Sequence, residues 1–468
     1  MMKKWLAVAL SLTMIVGMMT ACGSGDEANT NEGSNNDSST QVETIADGGG
    51  KVLNIYVWND DFQNRFEKYY KDYDKKTKSI GDVKVNIIQN ANQGSNYQDK
   101  LDAALAAQDS AAADDKVDIF LCETDYVNKY TSSDMAAPIS ALGITDSDLS
   151  QMYDFTKTAA TDASGILRGV TWQANPAGFI YRRSYAKEIF GTDDPAKIQE
   201  QVSDWDKFTA AAQTVKEKSD GKITMLSGFS DALRVYAANV TQKWVSDDKK
   251  LQIDPEIEKW IDATKEYTDN GYNAKTALWS DDWSAGFKKN GNVFGYFGPA
   301  WLINFSMSEG SGAKKNDDGT YEPGGSYGDW AVCEGPQAFN WGGTFICGAK
   351  GTDNAALVAD IMKTLCCDTD NMYNLTIDFQ EFVNNKKAND KLVADGVTSA
   401  FLGGQSLVEG LSAGIDKINM SYLSPYDQMC FENLMTAMAD YYNGKSTKEE
   451  AIENWKDMTI KSYPALSK

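Results

Sequence analysis

Three short stretches follow strand-like runs and carry the residue types that hold a polar ligand. Trp58-Asn59-Asp60-Asp61 comes after Val52 to Val57, Gln89-Asn90-Ala91-Asn92 after Val83 to Ile88, and Cys122-Glu123-Thr124-Asp125-Tyr126 after Val117 to Leu121. Each brings carboxylates, amides or a flat ring. A pyranose needs that mixture, because its C–H faces pack on aromatic rings while its hydroxyls take bidentate acceptors and donors. Nothing in such a site has to titrate. Asp125, directly after a buried strand, is the best single carboxylate, with Glu123 beside it. Asp60 and Asp61 have a second reading as caps of the following helix, where a carboxylate accepts from free N–H groups.

The elements that must position these loops read as βαβαβ. Phe62, Phe66, Tyr69, Tyr70 and Tyr73 recur at helical spacing, and Tyr97 to Ala107 is an Ala/Leu-rich helix. That order predicts a parallel sheet with right-handed crossovers, in which all three loops fall at the carboxyl edge where ligands bind. No GxGxxG or GxxxxGK follows any of the strands, so a nucleotide site has no support.

Gly169 to Arg183 (GVTWQANPAGFIYRR) reads as a crossing between two lobes. Pro176 removes a backbone donor and Gly178 permits unusual dihedrals, so a sheet should not run smoothly through. Its Trp172 and Asn175 would then stand at a seam between domains, where small-molecule sites form. From Lys51 about 420 residues remain, enough for two domains with real cores.

Composition narrows the chemistry. The formal charge of −22 makes nucleic acid and anionic membrane surfaces poor partners. The chain has no histidine, which excludes His-based triads and His-ligated zinc and leaves acid–base work to carboxylates. No cofactor and no metal site is expected. Beyond Cys22, the cysteines 122, 333, 347, 366, 367 and 430 show no CxxC spacing. They could pair outside the cell, but small buried apolar residues are the favoured reading, the adjacent Cys366 and Cys367 included.

Residues 1–21 carry Lys3 and Lys4, an apolar run from Trp5 to Met19, and small residues before Cys22. This is the pattern of a secretory signal, and its apolar run is short of the roughly 20 residues a membrane span needs. Met19-Thr20-Ala21-Cys22 resembles the lipobox of bacterial lipoproteins, with Met where Leu is usual, and that resemblance implies cleavage before Cys22 and a diacylglycerol on its sulfur. Residues 22–50 are Gly, Ser, Asn and acid, a flexible tether with a reach of roughly 30 Å.

Taken in order, the motifs resemble the extracellular solute-binding lipoproteins of bacterial ABC importers, in the carbohydrate-binding branch that includes the maltose-binding protein. The carriers are LNIYVWNDDFQNRFEKYY, YQDKLDAALAA with VDIFLCETDYVNKY, and the crossing GVTWQANPAGFIYRRSYAKEIF followed by VSDWDKFTAAAQTVKE. WSAGFKKNGNVFGYFGPAWLINF and DWAVCEGPQAFNWGGTFICGAKGTDNAALVADIMKTL complete the series. The resemblance implies an α/β fold of two lobes, each a mainly parallel sheet flanked by helices, joined by several crossovers and closing on ligand in the cleft. Carried onto this chain, lobe 1 is residues 51–174 with 345–395 and lobe 2 is 175–344 with 396–468. The second crossover lies near Gly342 to Ala349 and a third between about Asp390 and Met420.

It also implies that Trp301, after the turn Gly298-Pro299-Ala300, stacks on sugar, one residue offset from the maltose-binding pattern. Asn175 falls where the maltose-binding protein has an acidic contact, so a different hydroxyl pattern is implied. Trp341-Gly342-Gly343 enters the second crossover, where small residues let ligand approach backbone N–H groups. Ser421 to Met429 corresponds to another cleft loop, with Tyr426 and Asp427 as candidates. Of the 12 tryptophans, Trp58, Trp172, Trp279, Trp301 and Trp341 are assigned to the cleft, while Trp205, Trp244, Trp260, Trp330 and Trp455 read as structural. The expected ligand contacts are therefore Trp58, Asp60, Asn92, Glu123, Asp125, Trp172, Asn175, Trp279, Trp301, Trp341, Gly342 and Asp427.

The implied function is a lipid-anchored receptor subunit that captures a sugar, an oligosaccharide by preference, and passes it to a membrane permease. Two rivals stay open. One keeps the fold and changes the ligand to a peptide, polyamine or amino acid. The other is a secreted hydrolase with two carboxylates about 5 to 10 Å apart, drawn from Asp60, Glu123 and Asp125; no apolar setting that would raise one carboxyl pKa is visible in the sequence.

Overall fold

The structure, a computed structural model, describes residues 44–316 and 319–468. The signal sequence, Cys22 and the tether as far as residue 43 lie outside the described residues, as do Asp317 and Asp318 of a polar loop tip.

Alternation of apolar residues along Val52–Val57 fixes the first sheet. Leu53, Ile55 and Val57 are fully buried, and this strand pairs in parallel with Val83–Gln89 on one side and Ile119–Glu123 on the other. The βαβαβ expectation is therefore met here. Thr344–Gly348 then adds antiparallel to Ile119–Glu123, and Val170–Thr171 antiparallel to Thr344–Gly348; with the short antiparallel hairpin Tyr73–Asp74 and Ser79–Ile80 beyond Val83–Gln89, the sheet has seven strands.

The second sheet departs from the mainly parallel expectation. Pro176–Arg182 is its centre, buried at all seven positions, and Gly295–Pro299, Trp330–Cys333 and Phe339–Asn340 all pair with it antiparallel. The reason is topological. The central strand runs away from the crossing, and each partner belongs to a segment coming back toward it. The two-residue alternation still holds, since Ala177, Phe179 and Tyr181 enter one apolar core and Ile180 another on the opposite face. The first of these cores contains Trp260 and Trp455, each fully buried.

Two passages link the sheets. Residues 172–175 separate Val170–Thr171 from Pro176–Arg182, and Trp341-Gly342-Gly343 separates Phe339–Asn340 from Thr344–Gly348. A third segment runs beside the first: Ala174 N donates to Phe382 O at 3.1 Å and Asn384 N to Trp172 O at 2.8 Å.

Residues 45–50 are not free tether. Ile45 N donates to Ala141 O at 2.9 Å and Gly50 N to Asp353 O at 3.1 Å. Gly50 is buried so tightly that a Cβ would lie 2.5 Å from the Asn354 amide, and only glycine allows that approach.

Candidate functional site

The passage Trp341-Gly342-Gly343 is the floor of the site. Gly342 has φ +70° and Gly343 φ +135°, values that favour glycine. Their missing side chains also make room. A Cβ on Gly342 would stand 2.9 Å from Glu123 Oε1 and 3.1 Å from Trp301 Nε1, and one on Gly343 would stand 3.1 Å from Thr124 Oγ1 and 3.3 Å from Asn175 Nδ2. The two glycines thus gather Glu123, Thr124, Asn175 and Trp301 around one bend of backbone. Thr124 N and Oγ1 both donate to Gly343 O, at 3.0 and 3.1 Å, tying the loop after the first sheet to the crossing.

Asn175 is the unusual member. Its backbone is left-handed, φ +49°, and its side chain is buried at 1% exposure, yet neither amide atom has a hydrogen-bond partner among the described residues. Its carbonyl is well used, accepting from Asn340 Nδ2 at 3.0 Å. An unpaired buried polar group costs about 1–3 kcal/mol.

Three indoles adjoin this floor. Trp301 and Trp341 meet edge to face at 5.0 Å between ring centroids, with Trp279 5.9 Å from Trp341 and 6.1 Å from Trp301. Trp301 Nε1 donates to Trp341 O at 2.8 Å, which fixes the ring offset introduced by Ala300. Trp279 is held at φ +68° and is 52% exposed. A bulky residue in that conformation is strained, and strain of this sort clusters at ligand sites.

Electrostatically the site is built around Arg234, which the sequence reading did not single out. Its guanidinium forks onto both oxygens of Asp125 and lies 4.8 Å over the Phe431 ring and 5.8 Å over Trp341. Glu123 accepts from Asp125 N at 2.7 Å, and burial pushes its carboxyl pKa upward, with the neighbouring Asp125 charge adding to the effect. Asp427 is 3% exposed; burial raises it to about 7 against the hydrogen bonds it accepts from Ser424. Asp231, accepting from Trp283 Nε1 and from the N–H groups of Ser227 and Gly228, is raised by burial to about 6. The sequence showed no setting that would raise a carboxyl; the walls that do so come from residues remote in the chain.

Two cavities open here. The larger, about 760 Å³, is bounded by Thr124, Asp125, Asn340 and Asp427 and runs along Trp244 and Met420. The smaller, about 420 Å³, is bounded by Trp341, Asp231, Trp283 and Leu278.

Of the expected contacts, Asp125, Trp341 and Asp427 border the cavities, while Glu123, Asn175, Trp279, Trp301 and Gly342 border neither and are gathered around the Trp341-Gly342-Gly343 passage. Trp58 is half-buried, edge-on to Tyr97 and Tyr126 at 5.4 and 6.4 Å, and borders neither cavity. Asp60 and Asn92 are exposed, and neither borders either cavity; Asp60 makes no capping hydrogen bond to the helix Asp61–Tyr69. Trp172 is corrected outright. It is 1% exposed in the core of the first sheet, its Nε1 donates to Glu381 Oε2 at 2.9 Å, and Arg65, ion-paired to Glu381, packs on its ring. No face is left for a ligand. Besides Arg234, the sequence reading passed over Asp231, Asn340 and Phe431, none of which has a local motif. Among the described residues no cluster of carboxylates and thiols is arranged to hold a metal ion, and no helix is long and apolar enough to cross a membrane.

Two α/β sheets joined by several crossings, with aromatic, amide and acidic groups gathered where the crossings meet, define a two-lobed binding protein of the periplasmic-binding-protein type. Residues 68–401 match the model of the bacterial extracellular solute-binding protein family, and the chain belongs to that family. A search of curated sequences gives no match. Among solved structures, a protein described as extracellular solute-binding protein family 1 superposes with a TM-score of 0.72 at 18% identity, over 88% of this chain and 99% of that one. The transporter-associated binding protein of B. animalis subsp. lactis Bl-04, in complex with β-1,6-galactobiose, gives 0.64 at 17% identity, over 88% and 97%. A cyclo/maltodextrin-binding protein complexed with maltotetraose gives 0.62 at 16%, over 90% and 99%. At these identities the likeness concerns the fold.

Proposed function

We propose that this chain is the lipid-anchored receptor of an ABC importer: it captures an oligosaccharide in the cleft and delivers it to a membrane permease. The observation that carries the reading is Asn175, a buried amide with both polar atoms unpaired, beside Thr124 and Gly343. A sugar hydroxyl both donates and accepts, so a single one can serve either amide atom. The indoles of Trp301, Trp341 and Trp279 supply the flat apolar surface, and Glu123 and Asp427 supply further acceptors. Gly342 allows the close approach. The bound galactobiose and maltotetraose of the similar folds support the same ligand class.

Two α/β lobes, 51–174 with 345–395 and 175–344 with 396–468, would close by hinge motion at the crossings, with ligand contributing only where it touches both. The lipidated Cys22 would hold the receptor at the outer face of the bacterial membrane, within reach of its permease. Hydrolysis is disfavoured because, of Asp60, Glu123 and Asp125, Asp125 is ion-paired with Arg234 and Asp60 borders neither cavity, which leaves Glu123 without a second free carboxylate. A thermal-shift screen of residues 46–468 against oligosaccharides, amino acids and polyamines tests the reading. A saccharide at 100 times its dissociation constant adds about 2.7 kcal/mol of stability; a response to amines alone would overturn it.

A further inference from the structure

Arg234 and Phe431 are the two residues that border both cavities. On one side of them lie the Thr124, Asp125 and Asp427 groups, and on the other Trp341 and Asp231. Phe431 is fixed in the helix Asp427–Tyr442 and packs into the core of the second sheet. Arg234 is different. It projects from a helix of only five residues, Leu233–Ala237, and its side chain is held across the cleft by the fork onto Asp125 and by the Phe431 ring. Both partners of that fork keep about a fifth of their side chains exposed, 21% for Arg234 and 20% for Asp125. Exposure screens the pair and weakens it relative to a fully buried one. A long arginine stem also has many rotamers open to it once the fork is released.

We infer that Arg234 is a movable partition that sets the length of ligand the cleft accepts. Paired with Asp125, it separates the compartment bounded by Trp341 and Asp231 from the one bounded by Thr124 and Asp427. Swung aside, it joins them into a continuous groove with an indole platform at one end and carboxylate and threonine groups at the other. The chemistry of the swing is balanced. A guanidinium donates five N–H groups and a carboxylate accepts on two oxygens, and sugar hydroxyls can replace each for the other. A ligand long enough to span both compartments compensates the broken fork, whereas a shorter one does not.

The inference rests on the oligosaccharide reading and is tested apart from it. Calorimetric titrations of the mature chain with α-1,4-gluco and β-1,6-galacto ladders of two to six residues would compare four proteins. These are the wild type, Asp125→Asn, the double variant Arg234→Ala with Asp125→Asn, and Arg234→Lys. The double variant removes both ends of the fork, and the single Asp125→Asn is the milder change if the double one fails to fold. The readout is the ratio of affinity for the longest to the shortest bound member, which loss of one contact common to all lengths would not move. The expected result is a rise of at least tenfold in that ratio for the double variant, a smaller rise for Asp125→Asn, and the wild-type order for Arg234→Lys. A sugar bound by all four proteins with the same ratio overturns the partition and leaves the sugar reading intact. Failure of the wild type to bind any member of either ladder overturns both.

Discussion

Replacing Asn175 by glycine should trade affinity for stability. Two terms favour the variant in the free protein. The buried amide with no partner is removed, worth about 1–3 kcal/mol, and the left-handed backbone at φ +49° is one that glycine adopts freely. One term opposes: glycine's greater freedom in the unfolded chain costs about 0.5–1 kcal/mol. The balance is a gain of about 0–2.5 kcal/mol. With an unfolding entropy of about 2 cal/mol/K per residue over roughly 420 residues, that is a rise of up to about 3 °C in melting temperature. In the complex, two hydrogen bonds of about 0.5–1.5 kcal/mol each are lost, so affinity falls by roughly 5- to 150-fold. Scanning calorimetry without sugar and isothermal titration with it read the two effects separately. A variant that is less stable than wild type by more than about 1 kcal/mol, with affinity unchanged, would refute the reasoning and make Asn175 a structural residue.

Further expectations concern the carboxylates, the tryptophans and the thiols. Asp427 titrates near 7 in the folded protein against 3.8 ordinarily. Between those values only the folded state holds the proton, so stability should fall as pH rises from about 4 to about 7 and then level off. Melting curves across that range check this, and Asp427→Asn should flatten the slope; burial is the main cause, with Asp125 raising and Ser424 and Arg234 lowering the value. Trp341→Ala should weaken sugar binding at least tenfold, read by titration, and also lower the melting temperature, because the indole packs against two apolar cores. Trp172→Phe should lower the melting temperature and leave affinity unaltered, because it removes the Nε1 donor to Glu381 and nothing exposed. The six cysteines of the described residues are free, five buried and Cys367 half-buried, so a thiol reagent should label Cys367 alone in the native protein and all six after denaturation.

Local pattern made much of this legible. The strands Val52–Val57 and Ile119–Glu123 and the helix Asn96–Ala106 follow from period and composition, and with them the loop that presents Glu123 and Asp125. The stretch holding the crossing at Trp172–Asn175 was legible, but Pro176 and Gly178 do not interrupt the sheet as expected: both lie inside its central strand, Pro176 at the first position and Gly178 paired with Gly298. What sequence could not supply was direction and partnership across distance. The second sheet is antiparallel because of how its segments return to the crossing, which no strand encodes in itself. Arg234 meets Asp125 across 109 positions, from a helix with no motif. Trp172 looked like Trp341, an indole next to a hinge; only Arg65 and Glu381, folded in from both sides, make one of them core. Asp60 and Asn92 stand at the predicted edge of the sheet, but the walls of the cavities are built elsewhere, by the helices Leu233–Ala237 and Asp427–Tyr442.

The central claim is that sugar binds where the crossings meet, on the indoles and against Asn175. The crystal structure of residues 46–468 with the tightest-binding oligosaccharide from the screen tests it most directly. The account predicts a pyranose face against Trp341 or Trp301 and a hydroxyl within hydrogen-bond distance of the Asn175 amide. A sugar held instead around Trp58 and Asn92, with the Asn175 amide still unpaired, would contradict it.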